Sequence, residues 1–160
     1  MKFNKHMTTL ALLAALALSA EASSAQTMLI SPAEYAQELA ARPADDEPLT
    51  RGTAKGFDSS GAPHIELRQP TALLELKAPF PIQLVFRAED GVEIDPASFK
   101  VYYGFLKLDI TERLLQKVKV TREGLTLSDA AIPTGTHKLL LRVRDAKQRE
   151  GELQVALKVL

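Results

Sequence analysis

Hydrophobic and polar residues alternate along the second half of the chain. In the stretch 81–87, Ile82, Leu84 and Phe86 fall on one face. In 98–103 the same face takes Phe99, Val101 and Tyr103. The stretch 137–144 aligns His137, Leu139, Leu141 and Val143, and 152–159 aligns Leu153, Val155, Leu157 and Val159. Lys117-Val118-Lys119-Val120 repeats the pattern. A period of two belongs to a strand with one face buried. Weaker strand signals lie at 65–67, 73–76, 106–108 and 125–127. Turn formers separate these segments: Glu89-Asp90-Gly91, Glu123-Gly124 and Pro133-Thr134-Gly135-Thr136. Spacings of about 8–12 residues predict about seven short strands and an all-β antiparallel sandwich over residues 63–160. No long amphipathic stretch interrupts them, which argues against a parallel α/β sheet.

The first 62 residues read differently. Lys2, Lys5 and His6 precede an apolar run, Leu10–Leu18, and then the small residues Ser19, Ala20, Ala22, Ser23, Ser24 and Ala25. That order predicts a secretory signal peptide over residues 1–25, cleaved after Ala20, Ala22 or Ala25. The apolar run is far shorter than the roughly 20 residues of a membrane-spanning helix. Residues 26–62 are expected to form an N-terminal arm and linker. Ser31, Pro32 and Glu34 predict a capped helix start. Tyr35, Leu39 and Ala36 give it a weak apolar stripe, and Pro43 stops it after Arg42. Residues 43–62, rich in Pro, Gly, Asp and Ser, read as linker.

Composition narrows the function. The chain has 20 basic and 20 acidic residues and no net charge, so nothing suggests the clustered basic excess of a nucleic-acid binder. Cysteine is absent. No disulfide staples the domain, no thiolate serves as nucleophile or zinc ligand, and no lipidated cysteine follows the signal. The expected product is periplasmic or secreted, with no membrane anchor after signal cleavage. Its expected partner is another envelope or extracellular protein. No cofactor and no metal site are expected.

Two stretches resemble bacterial Ig-like domains of the fibronectin III type. Val92-Glu93-Ile94-Asp95-Pro96-Ala97-Ser98-Phe99 leads into a strand, and Leu108-Asp109-Ile110-Thr111 ends the next. Ala131-Ile132-Pro133-Thr134-Gly135-Thr136-His137 through Asp145 is similar to their late strand. The resemblance covers about residues 63–160 and implies an Ig-like sandwich. Such domains serve as spacers, adhesin modules, enzyme appendages and binding proteins, so it implies no single function. The Cys…Trp…Cys core of antibody domains is missing, and Ala146–Gly151 gives no support for a calcium turn.

Few residues carry candidate chemistry. His137 sits on the inward face at a strand start, and a ring hydrogen bond to a nearby carbonyl there would make it a structural corner. His64 is the only other histidine beyond the signal. Asp109 and Thr111 are placed to cap a short turn running through Leu114 and Leu115. Ser98, His137 and Asp145 lack the elbow and oxyanion glycines of a catalytic triad. Tyr102, opposite Phe99 and Tyr103 on its strand, pairs with Phe105 as a candidate binding surface. No catalytic residue is assigned. The expected function is an exported, non-catalytic structural, interaction or ligand-binding module. The alternative is an envelope hydrolase or hydrolase inhibitor with a cleft near Asp109, Glu112 and His137.

Overall fold

The computed structural model describes residues 28–44, 52–57 and 61–160. The signal peptide and its cleavage sites lie outside the described residues. Among the described residues, eight strands and two short helices follow in chain order. They are α1 (Pro32–Ala41), β1 (Thr53–Phe57), β2 (His64–Gln69), β3 (Phe80–Arg87), β4 (Ile94–Tyr103), β5 (Leu108–Asp109), α2 (Thr111–Leu115), β6 (Gly124–Ala130), β7 (Gly135–Asp145) and β8 (Glu150–Val159). Two antiparallel sheets face each other, one ordered β1-β8-β7-β4-β5 and the other β2-β3-β6. The fold is an all-β sandwich with a short N-terminal helix.

Alternation builds the core. In β7 and β8, Leu139, Leu141, Val143, Leu153, Val155 and Leu157 all turn inward and are buried. They meet Leu84 and Phe86 of β3 and Leu125 and Leu127 of β6 within one cluster. Phe86 and Phe99 touch across the sheets with ring centroids 5.5 Å apart. Each such side chain contributes roughly 1.5–3 kcal/mol by leaving water. Register is fixed because a one-residue slip would turn every one of them outward.

The structure departs from the sequence expectation in several places. Of the weak strand signal at 106–108, Leu106 and Lys107 lie on a turn and only Leu108 pairs, as part of β5. Thr53–Phe57, inside the segment read as linker, is the edge strand β1 and pairs with Glu152–Ala156. Thr53 to Gly56 are exposed, so no alternation of burial marked them. Lys117–Val120 is not a strand. The Val118 N–H closes onto the Leu114 carbonyl behind α2 at 3.1 Å, and Val118 and Val120 pack on the core edge without a ladder partner. Leu73–Leu76 contributes only one parallel bridge, Leu76 to Val159, which continues the β8 edge where β1 ends.

The arm docks rather than trailing. Leu29 and Ile30 are buried in the common core, and the Leu29 N–H donates to the Ala131 carbonyl at 2.9 Å. The α1 start has the full capping box: Ser31 Oγ accepts from the Glu34 N–H, and the Glu34 carboxylate accepts from the Ser31 N–H. Of the expected apolar stripe, Tyr35 packs against the core, while Leu39 and Ala36 do not. Leu39 is 47% exposed, Ala36 is exposed, and Glu38 is the buried position at 1%. The helix presents Glu34, Tyr35, Glu38 and Arg42 to the sandwich, so polar contacts hold it as much as apolar ones.

Candidate functional site

The docked helix closes over the start of β7, and His137 is the centre of that contact. Its side chain is fully buried. Nε2 lies 2.8 Å from the Pro133 carbonyl and Nδ1 lies 3.0 Å from the Tyr103 hydroxyl. A carbonyl only accepts, so Nε2 carries the proton and Nδ1 accepts from Tyr103. The Tyr35 ring packs against the imidazole at 4.9 Å and the Tyr103 ring at 5.8 Å. Burial lowers the His137 pKa, with the Pro133 carbonyl opposing it. Burial also raises the Tyr103 pKa. Both groups are neutral, and both ring nitrogens are spent on protein partners. Gly135, at φ +137, brings the backbone against the Tyr35 hydroxyl, where any Cβ would collide.

Asp109 lies at the surface. Its Oδ1 accepts the Thr111 N–H at 2.9 Å, an Asx turn leading into α2, and its Oδ2 stands 3.6 Å from Lys100 Nζ. Hydrogen bonding from Thr111 holds the Asp109 carboxyl below its usual range. The Thr111 hydroxyl does not cap the helix. It accepts the Val101 N–H at 2.9 Å, tying α2 to β4. Glu112 is exposed. None of Asp109, Glu112 and His137 lines any of the larger described cavities.

Ser98 and Asp145 are equally committed elsewhere. Ser98 Oγ donates to the Asp95 carbonyl at 2.6 Å. Asp145 is buried and accepts from the N–H groups of Lys147 and Arg149 and from Arg149 Nε. Arg149 reaches on to Asp90 at 3.0 Å, which locks the β7–β8 hairpin to the turn after β3. His64 meets Glu89 at the surface at 3.2 Å. Among the described residues, no group of three or more such side chains is placed to hold a metal ion.

Among the described residues, one concavity lies on the outer face of the five-stranded sheet. It has a volume of about 620 Å³, within the range of ligand sites. Leu140 and Ala156 form its floor, Lys107 and Lys138 border it, and Pro43 and Thr53 lie at its ends. Phe105, 61% exposed, stands at its wall. The turn carrying Phe105 is held from behind by Glu38. The Phe105 N–H donates to Glu38 Oε2 at 2.7 Å and the Leu106 N–H reaches the same oxygen at 3.5 Å. Glu38 Oε1 stands 3.7 Å from Arg42 Nη2. Gly104 takes φ +70 with its Cα against that carboxylate, so a side chain there would displace it.

Tyr102 and Phe105, paired in the sequence reading, occupy different settings. Tyr102 is half-buried on the outer face of β4 with the Arg142 guanidinium 5.7 Å above its ring. Phe105 is on the turn and lines the groove. Sequence reasoning missed Glu38, Lys107, Lys138, Leu140 and Ala156. The outward alternation of β7 and β8 carries Lys138, Leu140 and Ala156 in plain view; nothing in the sequence joins them to a helix a hundred residues earlier.

No protein-family model, curated protein or solved structure matches this chain. Among the described residues, no helix is long and apolar enough to cross a membrane.

Proposed function

We propose that this chain is an exported, non-catalytic binding module, built on an Ig-like sandwich, whose ligand site is the groove beside Phe105. The observation that carries this reading is the groove itself: a recessed apolar floor, an exposed aromatic wall and a turn fixed by a buried carboxylate. Pre-fixed walls reduce the ordering cost of binding. An aromatic standing clear of the surface beside a concavity is the usual anchor of an interface. Export rests on the order of residues 1–25, and the envelope partner follows from export.

The hydrolase alternative gains no support from the described groups. A histidine base needs a free nitrogen facing a nucleophile or a water, and both nitrogens of His137 are engaged in the interior. The test is a photo-crosslinking amino acid placed at Phe105, with a second at Gln83 on the opposite sheet as control, in cells exporting the protein. A discrete adduct at Phe105, absent at Gln83 and reduced by Lys107→Glu, is the expected result. Identical adducts from both positions would remove the groove from the account. A hydrolytic activity lost in a stably folded His137→Gln protein would restore the enzyme reading.

A further inference from the structure

We draw no further inference here: the strongest candidate, the groove walled by Phe105 on the outer face of the five-stranded sheet, belongs to the site already described, and nothing in the structure shows what covers it.

Discussion

Glu38, buried on α1, accepts the backbone N–H of Phe105 at 2.7 Å across 67 positions of sequence. A helix from the arm thereby holds the turn that walls the groove. Replacing Glu38 with Ala leaves the Phe105 and Leu106 amides without that acceptor. The expected cost is about 1–3 kcal/mol of stability. Ligand binding should fall further than stability predicts, because the turn is released. Gly104→Ala should reproduce both losses, since its backbone is left-handed and lies against the same carboxylate. Urea melts and a binding titration on the same samples separate the two effects.

His137 should make the fold sensitive to mild acid. Its folded pKa lies below the ordinary 6.5. The unfolded chain therefore takes up a proton first as pH falls. Stability from neutral His137 is complete above about pH 6.5 and declines below it. Denaturant unfolding between pH 8 and pH 5 should show this slope in the native protein. His137→Phe should remove that component and cost about 1–3 kcal/mol at pH 8, through the unpaired Tyr103 hydroxyl and Pro133 carbonyl. A slope unchanged by the substitution would assign it to another group.

Glu34 acts in the opposite direction and at lower pH. The bidentate Arg113 guanidinium, with 2.7 and 2.9 Å contacts, and the Ser31 cap hold its pKa at about 2 against burial. Its contribution is present above the ordinary value of 4.5 and is lost as pH falls toward 2. Glu34→Gln should lower stability by about 1–2 kcal/mol at pH 7, after discounting for its partial exposure. The difference from the native protein should vanish near pH 2. Acid titrations of both proteins, followed by circular dichroism, provide the check.

Much of the sandwich was legible in the sequence, and the failures have physical causes. The long strands β3, β4, β7 and β8 announce themselves because each buries one face, which forces alternation at Leu84, Val101, Leu141 and Val155. The edge strand β1 does not, because Thr53 to Gly56 are exposed and only backbone pairing defines it. Val118 and Val120 misled for the converse reason: alternation reports burial on one side, not a ladder partner. The α1 cap was readable from Ser31, Pro32 and Glu34. Its docking face was not, because the helix binds through Glu38 rather than Leu39. The inward placement of His137 was visible; its Tyr103 and Tyr35 neighbours come from β4 and the arm. The groove escaped notice because it gathers Pro43, Thr53, Phe105, Lys138 and Ala156 from five separate segments.

The arm should matter to the core in proportion to what it buries. Leu29 is 2% exposed within the common cluster. Leu29→Ala should cost about 2–5 kcal/mol, the range for a buried leucine. Lys119→Ala, at an exposed loop position, should change stability by less than about 0.5 kcal/mol. Thermal or urea unfolding of the two variants tests the contrast. A Leu29→Ala protein as stable as the native one would show that residues 63–160 carry the core alone.

The burial of Leu29 and Ile30 and the Glu38 contact to Phe105 predict that the arm and the sandwich form one cooperative unit, with α1 holding the groove in shape. Native-state hydrogen exchange tests it most directly. The α1 amides from Tyr35 to Ala41 and the Phe105 amide should exchange with the same opening free energy as Leu141 and Val155. Exchange of α1 and Phe105 at much lower opening free energy, with Leu141 and Val155 still protected, would contradict the claim and reduce the arm to a loosely docked tether.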